Sequence, residues 1–256
     1  LPRQTDKPKL CQLSSLSQLL HPQPEQELQR VNFNEKALLK AGFKSSGYQR
    51  IAALFLVDEA HAKKAKILHD EMKKYHFFLT GKDDIPYAVL LTKKQSDPVK
   101  LAGTMRKYYD ALHGKGFKNG DALQALTQLL PLYDEEFQPV LVDYVVAMKQ
   151  SFINSGLKVK KRFYPYLALL ALAGATSEVV DEIVEMEQTL VKLPMFVDMQ
   201  AYALMTAAQY VLKSLMENNM LSDFNDSLLF MQALAMSDYI GDIPFLLAFD
   251  ILDIFF

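Results

Sequence analysis

Three prolines, Pro86, Pro165 and Pro244, stand 79 residues apart, twice without slippage. Each is followed by an aromatic residue (Tyr87, Tyr166, Phe245) and then by an apolar run. The triplet Asp-Ile-Pro occurs at both 84–86 and 242–244, and "DALQALTQLL" from Asp121 shares a frame with "QAYALMTAAQ" from Gln200. Proline fits the first turn of a helix, where its missing N–H costs nothing. The preceding Asp84 and Asp242 are placed to cap the free N–H groups there. The short helix that follows is apolar on every side, so it must be surrounded by neighbours. A unit of this length holds four helices, or two helical hairpins of about 40 residues, the size of HEAT-like repeats. The spacing predicts duplicated four-helix units, stacked as an α-solenoid or closed into a compact helical bundle.

The rest of the chain agrees with an all-α reading. "AKKAKILHDEMKKYHFF", "PVKLAGTMRKYYDALHG", "FQPVLVDYVVAMKQSF" and "SEVVDEIVEMEQTLVKL" place apolar residues three and four apart, and nothing alternates at period two. Gly, Asn, Asp and Pro fall between these segments, where caps and turns belong, giving about a dozen helices in all. Residues 1–24 carry Pro2, Pro8, Pro22 and Pro24 among polar residues and read as a loosely ordered arm. Residues 25–256 read as a single helical-repeat domain. Half the residues are apolar, enough for a sizeable core, and the formal net charge is −2. A chain so balanced has no bulk electrostatic reason to seek nucleic acid or an acidic membrane. The single cysteine, Cys11, excludes internal disulfides and multi-cysteine zinc sites, which fits the cytoplasm. No apolar run reaches the roughly 20 residues of a membrane span, and the start lacks the apolar run of a signal peptide. Phe255 and Phe256 belong either to the core or to a chain that continues.

"LFLVDEAHAKK", from Leu54, resembles the second motif of a helicase. Phosphate chemistry of that kind needs an upstream Gly-x-x-x-x-Gly-Lys-Ser/Thr cradle. The nearest stretch, "GFKSSGYQ", has Tyr48 and Gln49 where the lysine and hydroxyl are required. Asp58-Glu59-Ala60-His61 is therefore a helix boundary, and the chain is neither a helicase nor a P-loop ATPase. His61, His69 and His76 fall on one helical face, but about 10–12 Å apart along the axis, too far to share a zinc ion. They are expected to be solvent-facing or lightly packed. "LKVKKRFYPY", from Leu157, sets four cations beside Phe163 and Tyr164. Such interleaving can hold single-stranded nucleic acid, but on this short turn it reads as a solvated loop, and no nucleic-acid partner is expected.

The most pointed segment is "FFLTGKDDIPYAVLL", Phe77 to Leu91. Thr80, Asp83 and Asp84 cluster on a glycine-containing loop at a helix start, with His76 just upstream. Two carboxylates, a hydroxyl and an imidazole could bind a cation or polar ligand. Capping of the next helix by Asp83 or Asp84 is the plainer reading. No metal-ligand spacing, nucleophile elbow or cofactor motif accompanies them.

Leu79-Thr80, Asp83-Asp84, Pro86, Ala88 and Leu90-Leu91 resemble a signature segment of the bacterial family called domain of unknown function 4003. The helical pattern from about Asn34 to Lys213 is similar to that family too. The resemblance implies a bacterial cytosolic setting and assigns no activity; Thr80, Asp83, Asp84 and Pro86 are the positions that match. Two functional expectations follow. The first is a cytoplasmic interaction module whose helices present a surface or groove to a protein or peptide. The second is a small-ligand or metal-dependent site, conferring enzyme activity or not, centred on Asp83 and Asp84.

Overall fold

The computed structural model describes residues 24–94, 96–196 and 200–218. Among these residues the fold is all-α: ten α-helices, three short 3-10 turns and no strand. Residues 1–23 of the arm, with Cys11, and Pro244 and Phe255–Phe256 lie outside the described residues, whereas Pro24, expected in the arm, opens the first helix. The described chain divides into two compact units, one containing residues 24–69 and 81–93, the other residues 70–80 and 94–218.

The first unit holds α1 (Pro24–Lys40), α2 (Gly47–Phe55), the start of α3 (Glu59–Tyr75) and α4 (Ile85–Leu91). α2 packs against both α1 and α4. Ser46 starts α2 by accepting the Gln49 N–H at 3.1 Å. The carbonyls at its far end are capped by α1. Asn34 Nδ2 donates to the Ala53 and Leu56 carbonyls at 2.9 Å each, and Arg30 Nη2 donates to Leu54 O at 2.9 Å. One helix thus supplies the donors that another helix's C-terminus lacks. Asp58 accepts the His61 N–H at 2.7 Å and so starts α3. This is the structural use of the helicase-like letters. All seven residues of α4 are buried, as its unbroken apolar character predicts.

The second unit contains α5 (Pro98–Gly114), α6 (Asp121–Leu129), α7 (Pro139–Asn154), α8 (Tyr164–Leu172), α9 (Ser177–Leu190) and α10 (Gln200–Asn218). α8 is its centre. All nine of its residues are buried, and it packs against α6, α7 and α10. α5 flanks α6 and α7, and α9 covers α7 and α10. Asp97 caps α5 by accepting the Val99 N–H at 2.9 Å. α5 and α7 both end in a left-handed glycine, Gly116 and Gly156, each with φ of 85°. The following N–H reaches back to the last turn, Phe117 to Leu112 O and Leu157 to Phe152 O. This closing pattern needs glycine because a side chain is strained at that φ. It also drives Phe117, only 1% exposed, into the core at the base of the next loop.

Helix starts recur at a fixed interval. α4 and α8 begin at Ile85 and Tyr164, α5 and α9 at Pro98 and Ser177, and α6 and α10 at Asp121 and Gln200, each pair 79 residues apart.

Candidate functional site

Sequence reasoning placed His76, Thr80, Asp83 and Asp84 together between α3 and α4. The division of the chain falls between Thr80 and Gly81, so they belong two to each unit.

In the second unit, the backbone at His76 continues the end of α3, its N–H donating to Met72 O at 3.0 Å. Its ring rests on Tyr109 of α5, centroids 4.5 Å apart. Burial first, and then the Arg106 guanidinium, push the imidazole below its usual range; Asp110 opposes them. A neutral ring on a tyrosine face is a packing role at neutral pH. Thr80 is buried, and its hydroxyl accepts from Gln124 Nε2 of α6 at 3.1 Å. Its own N–H closes on His76 O at 2.8 Å. Both side chains are therefore turned onto α5 and α6.

In the first unit, Asp84 is 5% exposed. It does not cap α4, contrary to the expectation from sequence. Its backbone is α-helical (φ −86°, ψ −10°), whereas a capping side chain works from extended backbone. The carboxylate instead turns back and accepts the Gly81 N–H at 2.7 Å. His69 contacts the same glycine, Nε2 to Gly81 O at 2.7 Å. The Gly81 peptide is thus clasped from both sides. Asp83 is half-buried beside it. Among the described residues, no group of three or more His, Cys, Asp or Glu side chains is placed to hold a metal ion.

His61 departs from expectation. It is 7% exposed, neither solvent-facing nor lightly packed. Nδ1 accepts the Val57 N–H at 3.2 Å, and Nε2 lies 2.9 Å from Val89 O of α4. An acceptor role at Nδ1 and a carbonyl at Nε2 require the neutral ring protonated on Nε2. Burial is the leading cause that pushes its pKa down.

Two features escaped the sequence reading. The first is Phe77–Phe78, on the turn after α3. Phe77 is 66% and Phe78 96% exposed, their rings edge to face at 5.3 Å. Lys73 Nζ lies 5.5 Å from the Phe77 centroid. Phe77 and Phe78 stand past the end of α3, where no helical periodicity assigns a side chain to the core, so the sequence carried no signal of their exposure. The second is Lys149 of α7, whose ammonium lies 4.1 Å from the Phe117 centroid and 5.8 Å from that of Tyr164. These three residues are far apart in sequence, and no local signal joins them.

The comparisons with known proteins agree with the segment at Leu79–Leu91. Residues 8–236 match the family described as "Protein of unknown function (DUF4003)", and the chain belongs to that family. It is 32% identical over 148 residues to a Bacillus subtilis (strain 168) protein named "Uncharacterized protein YeaA", an alignment covering 54% of this chain. The chain spans 44% of that relative's length. No solved structure matches it.

Proposed function

We propose that this chain is a protein- or peptide-interaction module of the bacterial cytoplasm, with Phe77 and Phe78 as its docking anchor. The observation that carries the reading is the exposure of the pair, 66% and 96%, in a chain that buries Phe43, Phe55, Phe117, Phe152, Phe163 and Phe196. Burying an aromatic ring of this size against a partner contributes on the order of 2–3 kcal/mol. That is the scale of an interface hot spot, and aromatic anchors are what such hot spots favour. The edge-to-face contact sets the two rings side by side, so that one partner surface can cover both.

The scaffold is best read as an internal duplication. Three pairs of helix starts at one interval, and two wholly buried short helices with proline in their first turn, support it. Repeated helical pairs are a common way to hold a binding loop on a rigid frame. A cytoplasmic location fits a chain with one cysteine. No helix among the described residues is long and apolar enough to cross a membrane. The rival centre at Asp83 and Asp84 has less support. The burial of Asp84 is explained by its clasp on Gly81, and Thr80 is occupied by Gln124.

The test is differential co-purification from the source organism. The double variant F77S/F78S should keep the melting temperature of the parent and lose the proteins that the parent retains. Phe33→Ser, at another exposed phenylalanine (60%), should retain them. Equal retention by all three chains would reject the assignment.

A further inference from the structure

Six cations gather in the second unit, five on two neighbouring turns (Lys118 after α5; Lys158, Lys160, Lys161 and Arg162 before α8) and Lys149 on α7. Contacts tie the turns together. Lys161 Nζ donates to Asn119 O at 3.0 Å, and the Lys118 N–H donates to the Tyr164 hydroxyl at 3.4 Å. Lys149 lies over Phe117 from the first turn and Tyr164 from the second. Arg162 covers the Tyr202 ring at 5.2 Å.

Several cations elsewhere are paired with carboxylates: Lys40 with Glu59, Arg50 with Glu35, Lys100 with Glu136, Arg106 with Asp110. Even Lys115, at the edge of the same surface, lies 3.6 Å from Asp143. Among the described residues, none of the six forms an ion pair with a carboxylate. Like charges held together raise each other's energy, and the neighbouring Lys118 adds to burial in lowering the Lys149 pKa. The contacts of Lys149, Lys161 and Arg162 hold the turns together, but none of them neutralises the charge gathered here. An anionic partner would relieve it.

We propose that this surface is a second docking site, for an acidic segment of a protein partner rich in Asp and Glu. The observations favour such a segment over nucleic acid. Phe117 and Tyr164 are 1% and 3% exposed beneath Lys149, and Arg162 covers the half-buried Tyr202, so neither core ring is open for base stacking and the third is already stacked by a cation. Five of the six cations are lysines, mobile point charges suited to scattered carboxylates rather than to forked recognition of phosphates. This site goes beyond the Phe77–Phe78 reading and does not rest on it.

The experiment uses the full chain and two fluorescent probes: a glutamate-rich peptide and a single-stranded oligodeoxynucleotide of equal charge. Anisotropy at low and physiological salt should show the peptide bound, more weakly as salt rises. The double reversal K118E/K160E should lower its affinity by about tenfold or more, and the neutral K118Q/K160Q by less. Circular dichroism checks the fold of each variant. Phe78→Ser should bind the peptide as the parent does, which separates failure of this proposal from failure of the previous one. Absence of peptide binding at low salt, indifference to both double variants, or tighter binding of the oligonucleotide would overturn it.

Discussion

His61→Leu should destabilise the protein, and the size of the loss can be worked from two contacts. The buried imidazole bridges Val57 N–H at 3.2 Å and Val89 O at 2.9 Å, linking the turn before α3 to α4. Leucine has comparable bulk but no polar atom, so the Val57 N–H, on a residue that is 60% exposed, is left to water, and Val89 O keeps only the longer contact from the Thr92 hydroxyl at 3.4 Å. Each lost hydrogen bond costs about 0.5–1.5 kcal/mol, giving a loss of about 1–3 kcal/mol near pH 8. The pH dependence carries a second, independent sign. Burial pushes the His61 pKa below the ordinary histidine value of 6.5. The unfolded chain therefore takes up a proton on this ring before the folded chain does. The stability that His61 contributes is complete above pH 6.5 and is lost as pH falls below it, until the folded pKa is reached. His76 is shifted in the same direction, so the quantity to read is the parent minus the variant. Urea denaturation followed by far-ultraviolet circular dichroism, at about pH 8, pH 7 and pH 5.5, measures both effects. The gap between parent and variant should be widest at high pH and shrink on acidification. A loss below about 0.5 kcal/mol at pH 8, no larger than an ordinary surface change, would refute the bridging role. A gap that stays constant down to pH 5.5 would refute the neutral tautomer.

Three further outcomes are expected. Asp84→Asn keeps the shape but weakens the acceptor for Gly81 N–H, and should cost about 1–2 kcal/mol in the same denaturation assay. Tyr166→Phe removes the hydroxyl that accepts from buried Gln209, and should cost about 1–3 kcal/mol; a neutral result would mean that the amide finds another partner. Asp97→Ala removes the N-cap of α5 and should lower stability by about 1 kcal/mol, with hydrogen exchange rising first at Val99 and Lys100.

Much of the fold was legible because local rules decided it. Pro86 and Pro165 each stand in the first turn of a helix, and the apolar runs after them are buried throughout. Asp97 before Pro98, and glycine followed by an apolar residue at Gly116–Phe117, marked a helix start and a helix end by chemistry that needs no tertiary context. The reading of Asp84 failed because residue type alone does not fix backbone conformation. An aspartate before Ile-Pro looks like a cap, but its helical φ and ψ turn the carboxylate toward Gly81. His61 was misjudged for a related reason. Its burial depends on Val89, which is 28 residues away and brought close only when α4 packs. The cation cluster could be read only in part. Four of its members are adjacent in sequence, but Lys118 and Lys149 join them through Asn119, Phe117 and Tyr164. The resemblance carried by Leu79–Leu91 pointed to the right family.

The most direct test of the central claim is photo-crosslinking in living cells from position 78. A benzophenone-bearing phenylalanine at that place replaces a ring that is 96% exposed, so the fold should tolerate it. Irradiation should give a discrete crosslinked protein that disappears when Phe77 is also changed to Ser, and that is absent when the probe is moved to Phe33. A crosslinking pattern at position 78 no different from that at position 33 would contradict the claim that Phe77 and Phe78 anchor a partner.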